Sequence, residues 1–229
     1  MADRKELHYF NNEKVDWRSP DLTALHRHFD WSVRDVVRGE ATPIYTYWPG
    51  AIERIARYNP RAKLIVCLRH PMLRAHSHWR MEMTRGAETL SFSHAIREGR
   101  ARVAGSPRGV NRVFSYVERG FYAQQMRGAS AHAAAVHYLR TDGLWIDPAG
   151  EIAKIARFLG IDGVEYVPGP VNYLVPVDSS GMPPISEEDR AYLLAIYASD
   201  VAETERLTGV GLSDWLRPEY REPMAPPRP

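Results

Sequence analysis

An arginine and a serine eight positions apart, Arg69 and Ser77, are the residues of this sequence that best fit a binding site. Arg69 directly follows the apolar run Leu64–Leu68, which predicts a buried strand, and Pro71 suits the first turn of a helix. Open α/β sheets bind ligands at the carboxyl ends of their strands. A guanidinium and a hydroxyl that converge there would hold a phosphate group. The local pattern fits equally well an arginine that pairs with a nearby carboxylate.

A lysine and a glutamate near the amino terminus form a second candidate site. Glu6 follows Lys5 at the entry to the run Leu7–Phe10, which predicts a short strand. A carboxylate held there could act as a general base. The alternative is an exposed Lys–Glu pair, which the local sequence favours. His8 would share a strand face with Glu6, although a single histidine in such a place is more often structural than catalytic.

The elements that must position these residues alternate between strands and helices. A second short strand is predicted over Val136–Leu139. Asp147 and Pro148 form an N-cap and N1 pair, and Ser186 with Asp189 resembles a capping box. Helices are predicted over 21–29, 49–58, 72–85, 91–100, 112–126, 148–159 and 186–207. This order predicts the α/β class with a mostly parallel central sheet, whose strands are covered on both faces.

Composition excludes several classes of function. The chain has 30 Lys and Arg against 28 Asp and Glu, so its net charge of +2 provides no argument for nucleic-acid or membrane binding. Cys67 is the single cysteine, cannot form an internal disulfide and is expected to be buried. No apolar run approaches a membrane span or a signal peptide, so we expect a cytoplasmic protein. One domain is predicted over 1–216, with a disordered tail over 217–229. The sequence gives no indication of the oligomeric state.

Histidines and aromatic residues provide two weaker signals. The pairs His26/His28 and His76/His78 lack the i, i+4 spacing with which one helical face binds zinc, so no metal is expected. Three aromatic residues after Thr42-Pro43 could line a cleft for a substrate or belong to the core, and the core interpretation is favoured. They are Tyr45, Tyr47 and Trp48.

Several segments, taken in order, resemble the sulfotransferase family, in the branch that contains bacterial sulfotransferases and the heparan sulfate N- and 3-O-sulfotransferases. The most specific is NPRAKLIVCLRHPMLRAHSHW at 59–79, because Arg and Ser eight apart after such a strand match the family's 3′-phosphate motif. The others are KELHYF at 5–10, GEATPIY at 39–45, YVERGFYAQQM at 116–126, DPAGEIAKIARFLGI at 147–161 and the Gly-x-x-L-x-x-W pattern that ends at Trp215.

The resemblance implies a P-loop-like three-layer α/β/α fold and transfer of a sulfuryl group from 3′-phosphoadenylyl sulfate to a hydroxyl or amine. Arg69 and Ser77 would hold the 3′-phosphate of this donor, and Tyr122 would lie near the nucleotide. Glu6 would take the proton of the acceptor, and Lys5 would help to neutralise charge. No metal is implied. The acceptor would be a small molecule, a glycan or a lipid-linked hydroxyl, near Tyr45, Tyr47, Trp48 and Trp79.

Two departures from the family pattern lead to further expectations. Family members begin with a strand and a Gly- and Lys-containing loop for the 5′-phosphosulfate, and this sequence begins at the residues that should follow them. We therefore expect a truncated form without the first central strand. The second departure lies in 164–185, where related heparan enzymes carry basic residues and this chain has no Lys or Arg. Either backbone amides around Ser179, Ser180 and Gly181 would then close over the nucleotide, or the closure would be weak.

Two other functions compete with catalysis. One is a non-catalytic remnant or regulatory module of the same fold, which would bind nucleotide without transferring a sulfuryl group. The other is a nucleotide kinase relative, which is disfavoured because the turn Arg69–Pro71 is not accompanied by a recognisable pattern of lid arginines.

Overall fold

The computed structural model describes residues 1–167 and 181–223, which form two compact units. The first unit comprises Met1–Leu64 with Arg127–Val136. The second comprises Ile65–Met126 together with the described residues from His137 onward. Ser179 and Ser180, predicted to contribute backbone amides, lie outside the described residues.

The first unit packs around an aromatic cluster. It contains the short helix α1 (Thr23–His26), a 3-10 turn over Pro43–Thr46 and helix α2 (Ala51–Tyr58). Its buried core consists of Tyr9, Phe10, Leu25, Ile44, Tyr45, Ala51 and Ile52. Tyr45 therefore belongs to the core, as the favoured interpretation predicted, while Tyr47 and Trp48 are partly buried against it.

The strand predicted over Leu7–Phe10 is wrong. Glu6 has a φ of 56° and His8 a φ of 54°, so the backbone alternates into the left-handed region instead of remaining extended. Hydrogen bonds still connect this segment to the one after Gly39. The amide of Glu6 donates to the carbonyl of Ala41 at 3.1 Å, and the amide of Phe10 donates to the hydroxyl of Tyr45 at 3.3 Å.

The described residues contain a two-stranded parallel sheet of β1 (Lys63–Leu68) and β2 (Ala135–Arg140). The chain between the two strands is long enough for the crossover that parallel pairing requires. The predicted α/β class and parallel pairing are thus confirmed. The prediction that β1 is covered on both faces is wrong for the described residues, because Val66 and Leu68 are buried whereas Ile65 and Cys67 are exposed.

Helices dominate the second unit. They are α3 (Pro71–Thr84), α4 (Phe92–Arg97), α5 (Gly99–Ala104), the first part of α6 (Tyr122–His132), α7 (Gly143–Ile146), α8 (Pro148–Leu159) and α9 (Glu187–Thr208). Three 3-10 turns accompany them, over Pro107–Gly109, Glu118–Gly120 and Ser213–Leu216. Large side chains that are almost fully buried form the core, among them Leu68, Met72, Trp79, Ile96, Tyr116, Met126, Leu193, Tyr197, Leu212 and Trp215.

Local capping chemistry sets several helix ends as the sequence predicts. The Asp147 side chain accepts from the amide of Gly150 at 2.9 Å, and the Ser186 hydroxyl accepts from the amide of Asp189 at 3.1 Å. The helix predicted over 112–126 is wrong before Tyr122, where α6 begins. There the side chain of Asn111 accepts from the amides of Val113 and Phe114, and these bonds turn the chain away from a helical path.

The carboxyl-terminal segment makes defined contacts as far as it is described. Tyr220 stacks on His70, and Glu222 pairs with Arg69. Both residues lie in the stretch 217–229 for which the sequence predicts a disordered tail, and 224–229 lie outside the described residues. Within the described part, no helix is long and apolar enough to cross a membrane.

Two glycines test the packing of the core. A Cβ at Gly120 would lie 2.6 Å from the hydroxyl of buried Tyr197, which donates to the carbonyl of Val117. We therefore expect Gly120→Ala to lower the free energy of unfolding by about 1–3 kcal/mol, the usual cost of overpacking. Gly128, in α6, has open space around it, so Gly128→Ala should raise that free energy by about 0.5–1 kcal/mol through helix propensity. Thermal unfolding measures the stability of both variants. Equal changes in their melting temperatures would contradict the close packing of Gly120 against Tyr197.

Candidate functional site

The first unit brings Lys5, Glu6 and His8 together at a partly exposed position. The ammonium of Lys5 lies 4.0 Å from one carboxylate oxygen of Glu6, and Nε2 of His8 lies 3.5 Å from the other. The amide of His8 donates to the hydroxyl of Thr42 at 3.4 Å. The carboxylate is 41% exposed, so it can reach a bound molecule. Left-handed backbone at two titratable residues, Glu6 and His8 on either side of Leu7, is typical of sites where a fold holds side chains for function.

In the second unit, the turn between β1 and α3 holds the backbone of Arg69 from several directions. The backbone amide and hydroxyl of Thr141 both donate to the carbonyl of Leu68, at 2.8 and 3.1 Å. The hydroxyl of Tyr122 donates to the carbonyl of Arg69 at 2.8 Å. Because these carbonyls are satisfied by other elements, the backbone from which the guanidinium extends is fixed.

His70 completes the turn as the N-cap of α3. Its Nδ1 accepts from the amide of Met72 at 3.3 Å, and its Nε2 lies 2.9 Å from the carbonyl of Trp215, to which it donates. One neutral tautomer satisfies both bonds. Burial lowers the pKa of His70 to about 4, against the opposing effect of the bond to Trp215. The imidazole is therefore a neutral structural group at neutral pH.

The guanidinium of Arg69 binds one carboxylate through two parallel bonds. Its Nε donates to Oε1 of Glu222 at 2.8 Å, and its Nη2 donates to Oε2 at 2.7 Å. Burial lowers the pKa of Arg69, but the bonds and charge of Glu222 outweigh this effect and raise the pKa above its ordinary value. The arginine thus stays charged, and its geometry is that of a bidentate anion site.

Ser77 and Tyr122, the other two predicted nucleotide-binding residues, lie on different helices, α3 and α6. Ser77 lies in the second turn of α3 and is partly buried. Tyr122 is only 6% exposed, and burial raises the pKa of its phenol. Asp200 accepts from the amide of Tyr122 at 2.6 Å and thereby fixes the start of α6. In this arrangement Tyr122 positions the backbone of Arg69.

A cavity of ≈ 370 Å³ lies between α3 and the start of α9. Its lining residues are Leu73, His76, Arg80, Met182, Pro183, Pro184, Ile185 and Arg190. Neither Arg80 nor Arg190 has an ion pair with a carboxylate in residues 1–167 and 181–223. Burial, followed by the charges of Arg80 and, more weakly, Arg69, lowers the pKa of His76 to about 4. The cavity thus combines apolar walls with two available cations.

Known proteins resemble this chain in sequence and in structure, although no family model matches it. It is 34% identical over 128 residues to heparan sulfate glucosamine 3-O-sulfotransferase 6 of Mus musculus, and the match covers 55% of this chain and 35% of that protein. Heparan sulfate glucosamine 3-O-sulfotransferase 3B1 of Mus musculus is 31% identical over 124 residues, which are 53% of this chain and 30% of that protein. The chain thus matches about a third of the length of these curated relatives.

A solved structure extends the similarity to almost the whole chain. The crystal structure of a sulfotransferase from Alicyclobacillus acidocaldarius superimposes with a TM-score of 0.76 at 26% identity, over 94% of this chain and 87% of that one. The chain is thus similar to sulfotransferases in both sequence and structure. The resemblance to sulfotransferases, predicted from the spacing of Arg69 and Ser77 and from the flanking segments, is confirmed.

Several residues of this candidate site are not predicted by the sequence. Arg80 follows Ser77 by three positions, so helical spacing would have placed both on one face of α3. Arg190 and Glu222 offer no such signal, because they reach the site from distant parts of the chain. Among the described residues, no group of three or more His, Cys, Asp or Glu side chains could hold a metal ion.

The neutral state of His70 leads to a pH prediction. Its native pKa of about 4 lies below the unfolded value of 6.5, so the unfolded chain binds a proton that the native chain does not as pH falls from 6.5 toward 4. We expect stability to be lost over that window, with His70 contributing up to about 1.4 kcal/mol per pH unit. Urea unfolding between pH 7 and 5 should show a shallower pH slope for His70→Asn than for the native chain. Equal slopes would show that His70 titrates normally.

Proposed function

We propose that the protein is a sulfotransferase that uses 3′-phosphoadenylyl sulfate as its donor. A hydroxyl or amine of the acceptor attacks the sulfur, and a new bond forms between them. The bond from sulfur to the bridging phosphate oxygen breaks, and adenosine 3′,5′-bisphosphate leaves. The acceptor proton passes to a carboxylate of the protein. The acceptor is a small molecule, a glycan or a lipid-linked group.

The observation that carries this proposal is the bidentate grip of Arg69 at the carboxyl end of β1. The two donors of the guanidinium are directed at a pair of oxygens 2.8 and 2.7 Å away. A phosphate group offers the same pair of oxygens with more negative charge, and an arginine fork binds it in the same plane. The position at a strand end is where open α/β folds bind nucleotides.

Additional groups around Arg69 support the binding of a bisphosphate nucleotide. Ser77 would contribute its hydroxyl to the 3′-phosphate, and Tyr122 would hold Arg69 in place from behind. The cavity beside α3 adds the cations Arg80 and Arg190 to apolar walls that suit a purine. Both cations influence histidines of this region: Arg80 lowers the pKa of His76, and Arg190 contributes to the low pKa of His70. These helical arginines would supply the positive charge that the loop 164–185 lacks.

Glu6 is the proposed general base. Its carboxylate is exposed enough to meet an acceptor and has Lys5 and His8 within 4.0 Å. Lys5 would stabilise negative charge that develops on the transferred sulfuryl group. A base at this position would act on a weak nucleophile such as an alcohol, for which proton removal in the transition state matters.

A non-catalytic nucleotide-binding module of the same fold is the alternative. The similarity to sulfotransferases does not favour it. Transfer of labelled sulfate by the native chain to phenols, glycan hydroxyls or glucosamine amines would exclude this alternative. Binding of adenosine 3′,5′-bisphosphate that depends on Arg69, without any transfer, would support it.

Substitution of Arg69 tests the donor site. We expect Arg69→Lys to weaken binding of adenosine 3′,5′-bisphosphate at least about tenfold, because a lysine keeps the charge but loses the two parallel bonds. Adenosine 5′-phosphate should bind equally to both proteins, since it lacks the 3′-phosphate. Titration calorimetry measures both ligands, with Arg61→Lys as a control at an exposed arginine of the first unit. An unchanged affinity in Arg69→Lys would refute the proposed role.

Substitution of Glu6 tests the base. Glu6→Gln should lower the turnover number by about 10²–10⁴, the usual contribution of a positioned general base. Its affinity for adenosine 3′,5′-bisphosphate should stay unchanged, because the donor site lies on other residues. Glu98→Gln, at an exposed carboxylate of the second unit, is the control and should keep full activity. Full activity in Glu6→Gln would assign proton removal to another group.

A further inference from the structure

The carboxyl-terminal strap, defined as residues Arg217–Pro223, occupies the guanidinium that the proposed function assigns to the donor. The carboxylate of Glu222, in the strap, accepts hydrogen bonds from both Nε and Nη2 of Arg69. These are the two donors of one edge of the guanidinium, so a phosphate cannot take the same edge while Glu222 remains. The carboxylate thus stands where the 3′-phosphate is expected.

The strap is anchored two residues before this contact. The ring of Tyr220 stacks on His70 with centroids 4.9 Å apart and planes inclined by 29°. Its hydroxyl donates to Oδ2 of Asp142 at 2.8 Å, and Oδ1 of Asp142 accepts from Nε of Arg140 at 2.9 Å. Tyr220 therefore fixes the strap beside the turn that carries Arg69. This anchor holds Glu222 close to the guanidinium of Arg69.

The contact itself is of a kind that a stronger anion can replace. The side chains of Arg69 and Glu222 are 34% and 20% exposed, so solvent screens the pair and its net contribution to stability is small. Glu222 lies beyond the anchor, and it can leave Arg69 without breaking the bonds of Tyr220. A phosphate dianion brings more charge to the same two donors and would gain further bonds from Ser77.

We propose that the strap is an autoinhibitory element in which Glu222 acts as an internal mimic of the 3′-phosphate. This inference rests on the proposed function. An adenine nucleotide without a 3′-phosphate does not compete for Arg69, whereas the donor and the product adenosine 3′,5′-bisphosphate must displace Glu222. The strap lowers the fraction of molecules that can bind, and it lowers the observed affinity by the same fraction.

The experiment compares Glu222→Gln with the native 229-residue chain in titration calorimetry. Removal of the charge should strengthen binding of adenosine 3′,5′-bisphosphate about two- to sixfold, since a screened ion pair competes only weakly and the competing state is then less populated. Affinity for adenosine 5′-phosphate should not change. Glu219→Gln is the matched control, because it removes the same charge from an exposed position of the strap. Tyr220→Phe, which loses the bond to Asp142, should give a smaller gain in the same direction.

Each outcome decides between distinct conclusions. Equal affinities of Glu222→Gln and the native chain for the bisphosphate would overturn the autoinhibitory role, as would a weaker affinity in the variant. An equal gain in Glu219→Gln would show a general charge effect and would also overturn it. If neither the native chain nor Glu222→Gln distinguishes the bisphosphate from adenosine 5′-phosphate, the proposed donor site fails. Melting temperatures of the variants verify that all of them fold.

Discussion

The fixed backbone at Arg69 is the constraint on which the rest of the second unit depends. Two successive carbonyls, those of Leu68 and Arg69, accept bonds from Thr141 and Tyr122. These donors follow β2 and begin α6, so both the sheet and α6 must be in place for the turn to have its hydrogen bonds. Burial of polar backbone without such partners is costly. The guanidinium of Arg69 therefore extends from a rigid backbone, which is what selective binding of an anion requires.

The arginines of this region differ in whether a carboxylate balances their charge. A partly buried arginine needs an anion, and Glu222 provides one through two bonds. Arg80 and Arg190, in contrast, face a cavity without a carboxylate partner among the residues described. The region therefore retains positive charge after its internal pair has formed. An incoming nucleotide would meet both kinds of arginine, one engaged and two available.

The candidate base arises from a different kind of constraint in the first unit. There no regular element holds Glu6 and His8, and both residues lie in the left-handed region. Hydrogen bonds from Glu6 to Ala41 and from Phe10 to Tyr45 hold this irregular segment beside the chain after Gly39. The two segments that carry part of the family resemblance are thus adjacent in space, and the aromatic core below them determines their path.

Local chemistry made much of this protein predictable from its sequence. The run before Arg69, the proline after it and the caps Asp147 and Ser186 act over a few residues, and the elements that they predict are present. Tertiary structure alone decided the rest. Positive φ at Glu6 and His8, the exposure of Cys67 and the turn after Asn111 depend on packing or on side-chain bonds that periodicity does not reveal. The partner of Arg69 lies 153 residues away, and no local pattern connects two residues at that separation.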